Sequence, residues 1–217
     1  MTTGAQPSRA ALTAIGFRIK SGYAIAIVLA GPAKSPAIIA RRIVELCDPT
    51  VAETKQPYHD GFGTEHEDPR EIARRVKIIE RCAKQSVTGL IREVRSAKAL
   101  AERSLRAGLV VGSVIDPQKV GNPHIRAHAN EGKLFRTVVE DALRAHGIAC
   151  DVIVEKQLAA KASAGLRRPE REITQTLAAF GKTIGGPWRA EEKAAAMAAW
   201  LALESTPASA RSRTLPR

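Results

Sequence analysis

Three groups of residues in this chain carry side chains able to do chemistry. The first is a scattered set of carboxylates, Asp116, Glu155, Glu191 and Glu192. Converging carboxylate oxygens are what hard cations such as Mg²⁺ require. Each acid also has a plainer local use. Asp116 precedes Pro117 and suits a turn. Glu191 and Glu192 open an Ala-rich run, where the dipole of a helix start favours acids by itself. Glu155 closes a buried-looking apolar run and is the acid least explained by local structure.

The second group lies between Gly121 and Gly132, in Asn122-Pro123-His124-Ile125-Arg126-Ala127-His128-Ala129-Asn130-Glu131. It stands where an apolar run hands over to a helical one, the place at which open α/β sheets bind ligands. His124, His128, Arg126 and Glu131 there could move protons and contact a phosphate. Alternatively, His128 and Glu131 only complete a helix cap. The third group is His59, Asp60, Glu65, His66, Glu67 and Asp68. Imidazole and carboxylate both ligate metals, but this spacing matches no recognised ligand pattern, and the expectation is a solvated loop.

Charge narrows the partners. Of 217 residues, Lys and Arg number 34 against 22 Asp and Glu, giving a net charge of +12 and a pI near 10.1. Such a surface attracts polyanions at long range, and nucleic acid is the first expectation. An Arg- and Ala-rich composition of the kind found in some bacteria is the plainer source of the same charge. The cations singled out lie on the basic faces of a long helical stretch and in Lys156, Lys161, Arg167, Arg168 and Arg171. The turn Lys20-Ser21-Gly22 could add backbone N–H groups for a phosphate. Trp188 and Trp200 read as packing residues.

The apolar run 23–30 is far too short for a bilayer, and no charged-then-apolar leader opens the sequence, so a cytoplasmic protein without membrane contact is expected. Cys47, Cys82 and Cys150 are scattered and odd in number, as reduced thiols would be. One domain is expected over 11–204, between disordered ends at 1–10 and 205–217.

The elements follow from periodicity. Runs 12–20 and 23–30 read as a hairpin joined at Ser21-Gly22. Run 37–46, interrupted by Arg41-Arg42, reads as an edge strand or a short helix. Residues 50–68 read as a polar loop. Asp68, Pro69 and Glu71 start a helix whose apolar stripe runs from Ile72 to Ala101, with Gly108 as its cap. Buried strands are predicted at 109–115 and 148–154. A helix capped by Asn130 and ended by Gly147 lies between them. Residues 158–171 read as polar and basic, and helices are predicted at 173–180 and 190–203.

A meander followed by βαβ units, opened by Ile15-Gly16-Phe17-Arg18-Ile19-Lys20-Ser21-Gly22, resembles the ribonuclease-H-like superfamily. Within it, the order resembles RuvC-type Holliday-junction resolvases. That family's first strand reads Gly-Ile-Asp-x-Gly-Ser/Thr-Gly, and Glu192-Lys193-Ala194-Ala195-Ala196 looks like its last helix. The resemblance implies an α/β fold with a mixed five-stranded sheet flanked by helices. It implies two Mg²⁺ ions in the active members, with Glu155, Asp116 and Glu192 as the metal-ligand candidates here and His128 beside them as a catalytic candidate. The family's first-strand Asp position is occupied by Arg18, which supplies a cation where a carboxylate should stand. The expectation is therefore a nucleic-acid-binding protein with a lost or altered two-metal site, taking junction DNA or structured RNA. Its contacts would be Arg18, Lys20, Ser21, Arg126, Lys156, Lys161, Arg167 and Arg168. Two alternatives stand beside it: an active Mg²⁺-dependent nuclease, and a non-enzymatic assembly protein. A homodimer stays open.

Overall fold

The two strands that begin the fold are apolar on both faces, and both are buried along nearly their whole length. They are β1 (Leu12–Ile19) and β2 (Tyr23–Ala30), antiparallel and joined by a turn in which Gly22 takes a φ of +84°. These coordinates, a computed structural model, describe residues 12–60, 64–101 and 103–204. The expectations for 1–10 and 205–217 lie outside the described residues.

β3 (Ala37–Glu45) pairs antiparallel with β2 and forms the sheet edge, which decides between the two readings of that run. A two-stranded ribbon, β4 (His59–Asp60) with β5 (Thr64–Glu65), stands in the stretch predicted to be a loop. β6 (Ser104–Val111) pairs parallel with β1, and β7 (Cys150–Val154) parallel with β6. The sheet order is β3-β2-β1-β6-β7, the mixed five-stranded sheet that was expected.

Five helices cover it. α1 (Pro69–Ser96) begins as predicted, with the Asp68 side chain accepting from the backbone N–H of Arg70. It stops at Ser96, earlier than the stripe suggested, and Gly108 is not its cap. Gly108 lies inside β6, where a Cβ would come within 2.7 Å of the Ala198 carbonyl oxygen. α2 (Pro123–Ala145) is capped by Asn122, whose side chain accepts from Ile125 N at 3.0 Å, and not by Asn130. The second chemical group is therefore helical throughout. α3 (Glu155–Leu166) replaces the predicted polar stretch. Leu158, Ala162 and Leu166, four apart, give it a narrow buried stripe that the charges around it obscure. α4 (Glu170–Ile184) and α5 (Ala190–Glu204) complete the chain.

The period-two alternation of β1 divides the core. Ile15, Phe17 and Ile19 face α1 and α2, against Ile79, Val87, Phe135 and Val139. Ala14 faces the other layer with α3, α4 and α5. α5 lies directly on the sheet, and its residues Ala195, Ala198, Ala199 and Trp200 are fully buried. A Cβ on Gly16 would meet the Ala195 carbonyl oxygen at 1.9 Å, so only glycine admits this helix so close to β1. All three cysteines are free, and burial pushes the Cys150 thiol up to about 11. Among the described residues no helix is long and apolar enough to cross a membrane.

Candidate functional site

Arg18 sits near the carboxyl end of β1, where its side chain is buried to 7% exposure. A guanidinium removed from water costs several kcal/mol unless every side of it is paired. Glu155 supplies the pair. Arg18 Nε donates to Glu155 Oε1 at 3.2 Å and Nη2 to Oε2 at 2.6 Å, while Nη1 donates to the Ile19 carbonyl at 2.7 Å. Only the planar fork of arginine makes this two-point contact. Glu155 is the first residue of α3 and not the end of the preceding strand, so the helix start also favours its charge.

The other acids are committed elsewhere. Glu192 is buried, and its Oε2 accepts from Arg189 N at 2.8 Å, closing the start of α5. Its Oε1 stands 3.5 Å from Arg41 Nη1. Glu191 faces Lys20 Nζ at 3.8 Å. Asp116 is exposed and caps the single 3-10 turn Pro117–Lys119, accepting from Gln118 N at 3.2 Å. Among the described residues, Asp116, Glu155 and Glu192 do not gather their oxygens into one cation-sized cluster. Both oxygens of Glu155 face a guanidinium. The two-Mg²⁺ arrangement that the resemblance implies does not fit the residues present.

The basic candidates divide between paired and free. Arg126 donates from Nε to both Glu65 oxygens at 3.0 and 3.1 Å, and this partner holds the Glu65 carboxyl below its usual range. Arg168 lies over the Trp200 ring at 5.5 Å and donates to the Lys34 carbonyl. Ser21 is exposed in the β1–β2 turn beside Lys20, Lys156 and Lys161 are exposed on α3, and Arg167 is exposed just past its end. A further stripe runs along α1: Lys77, Arg81, Lys84 and Arg92 share an open groove with Glu80, Gln85 and Thr88. From Lys77 to Arg92 it spans about 22 Å of helix at 1.5 Å per residue. None of the four forms an ion pair with a described carboxylate.

A second polar centre joins two sequence groups that looked unrelated. His124 and His128 lie four apart on one face of α2, and His59 comes from β4. One ring nitrogen from each falls within 4.8 Å of the others. The ring centroids are 4.3 to 5.2 Å apart. Glu131, 1% exposed, lies one turn further along α2, and its Oε1 is 2.7 Å from His59 Nδ1. Its Oε2 stands 3.5 Å from His128 Nδ1. The ribbon is clamped on both sides. Arg75 Nη1 donates to the carbonyls of Pro57 and His59, and Arg126 holds Glu65. Burial, with the nearby Glu131 and Glu80 charges, raises the Tyr58 hydroxyl above its ordinary value. His59 was set aside with a solvated loop. The signal that could have found it was His124-x-x-x-His128, an i,i+4 pair visible only once the helix is started at Asn122.

No family model and no curated protein matches this chain. Solved structures do. The chain is similar to T. thermophilus RuvC in complex with a Holliday junction substrate, at 9% identity and a TM-score of 0.52, over 88% of this chain and 91% of that one. It is also similar to the Thermus thermophilus RuvC structure, at 11% identity and a TM-score of 0.50, over 88% and 92%. At such identities the likeness establishes the fold, the ribonuclease-H-like α/β arrangement.

Proposed function

We propose that this chain is a nucleic-acid-binding protein of RuvC-like fold that holds branched DNA or structured RNA without cutting it. The observation that carries the proposal is the stripe Lys77, Arg81, Lys84 and Arg92, four exposed cations on one helix with no carboxylate partner among the described residues. Unpaired cations on a surface of +12 net charge are available to displace counterions from phosphates. Lys156 and Lys161 on α3 and Arg167 just past its end form a second exposed basic patch on the opposite layer of the sheet, and Lys20 and Ser21 offer a turn at the end of β1. Since one RuvC neighbour was solved with a Holliday junction substrate, a four-way junction is the first probe. Cleavage is left out because Arg18 and Glu155 neutralise each other where that fold family collects metal ligands.

The test is a fluorescence-anisotropy titration of duplex, single-stranded and four-way-junction DNA and of structured RNA. It is run at two salt concentrations, with and without Mg²⁺, with products examined on a gel. Four phosphate contacts predict a slope of log affinity against log salt near −3.6, about −0.9 for each. The variant Lys77→Glu/Arg81→Glu/Lys84→Glu/Arg92→Glu is expected to lose that binding while leaving the products intact. Affinity indifferent to salt overturns the proposal. Mg²⁺-dependent fragments would move it to a nuclease working through Glu155, Asp116, Glu192 and His128, for which Glu155→Ala should abolish cutting. Failure to bind at low salt would turn the search to a protein partner.

A further inference from the structure

Imidazoles crowd the junction of the β4–β5 ribbon with α2, and one of them keeps a nitrogen that no described residue satisfies. His59 is buried, and its Nδ1 faces the Glu131 carboxylate. That contact fixes the other nitrogen, Nε2, which is itself buried and has no hydrogen-bond partner among the described residues. Leaving a buried polar atom unpaired is costly. Glu131 Oε2 is a second buried atom without a hydrogen bond, in the same place. A buried carboxylate is tolerated only where positive charge or donors compensate it.

We propose that His59, His124 and His128 bind one divalent transition-metal ion of the Zn²⁺ class, with Glu131 as the carboxylate that orients His59. Three neutral imidazoles select Zn²⁺, Co²⁺ or Ni²⁺ over Mg²⁺ or Ca²⁺, which prefer oxygen. A carboxylate behind a ligating histidine fixes its tautomer and strengthens it as a ligand. The ion restores positive charge beside Glu131 and gives His59 Nε2 its missing partner. Tetrahedral Zn²⁺ at about 2.0–2.1 Å from each nitrogen needs ligand atoms about 3.4 Å apart. The three nitrogens stand within 4.8 Å of one another, so an adjustment of about an ångström by exposed side chains closes the set. His124 and His128 are exposed and can make it, whereas His59 is held from behind. Three protein ligands leave a fourth tetrahedral position, which a water or an anion would take. The ion also ties the ribbon to α2, adding to the hold of Arg126 on Glu65 and of Arg75 on the His59 carbonyl. This site is independent of the α1 stripe, and either can fail without the other.

The test uses the full chain without a histidine tag, stripped with EDTA, dialysed, and titrated with Zn²⁺ by calorimetry. Co²⁺ then serves as the spectroscopic probe. One ion per chain, a visible d–d spectrum of low-symmetry Co²⁺ and a rise in Tm with Zn²⁺ are expected. His124→Ala/His128→Ala changes only exposed positions and keeps the fold, and it should weaken binding on the order of 100-fold and remove the Co²⁺ spectrum. Glu131→Gln should weaken Zn²⁺ by about 10- to 100-fold. Absence of binding at micromolar Zn²⁺, a stoichiometry other than one, or wild-type affinity in the double variant overturns the site. Unchanged affinity in a folded Glu131→Gln protein overturns the role given to Glu131.

Discussion

Two charged centres in this molecule each set a carboxylate against a buried basic side chain and end in opposite states. At the carboxyl end of β1, two Arg18 nitrogens each meet one Glu155 oxygen, and a backbone carbonyl accepts from the third nitrogen. At the ribbon, Glu131 answers one nitrogen of His59, while its other oxygen and the other His59 nitrogen make no hydrogen bond among the described residues. The difference is one of valence. An arginine fork and a carboxylate match in number and direction, so the pair closes on itself. One imidazole cannot saturate a carboxylate, and two more imidazoles stand within reach. A polar cluster with unused valence is the better place to look for chemistry, whichever of the two a fold family would point to.

The sharpest way to break that comparison is Arg18→Asp, which sets two carboxylates against each other at the end of β1. Glu155 is half exposed, so the expected loss is at the low end for a broken buried pair, about 3 kcal/mol by urea denaturation. A stable variant that gains Mg²⁺ binding would show the centre to be an open metal site held shut by one side chain. Arg18→Lys keeps the charge and loses the fork, and should cost about 1–2 kcal/mol. Equal stability to the wild type would mean that charge alone, and not two-point geometry, satisfies Glu155.

A smaller effect should follow pH at the ribbon. Arg126 lowers the Glu65 carboxyl, so the folded protein releases this proton more readily than the unfolded chain. The stability it contributes is present above the ordinary carboxylate value, about 4, and is lost as pH falls through the lower folded value. The Tm difference between wild type and Glu65→Gln should be widest near neutral pH and shrink in acid. A difference that grows in acid would refute the assignment. The smallest effect is expected at Arg42 and Glu93, an exposed pair between β3 and α1. Glu93→Gln should change stability by less than about 0.5 kcal/mol, a control for what an ion pair is worth when water competes for it.

Much of the scaffold was legible in the chain. The β1–β2 hairpin, the start of α1 at Asp68 and the Ala-rich α5 follow from turn residues, a capping side chain and apolar periodicity, all of them local. The errors share a cause. Gly108 looked like a helix end because a glycine after a long helix usually is one. Its use here, admitting the Ala198 backbone, depends on a helix some ninety residues later. α3 was missed because three buried positions among lysines and arginines make a weak stripe. Asn130 was preferred to Asn122 because the apolar pattern strengthens only after it.

The sequence by itself determined the charge, most of the element order and the presence of an arginine in the first strand, since each is a property of residue type or of neighbours a few positions apart. Tertiary structure alone decided that Arg18 meets Glu155 across 137 positions and that His59 meets Glu131 across 72. Such pairings depend on where the sheet and helices bring distant segments together, and side-chain chemistry reaches only a few ångströms.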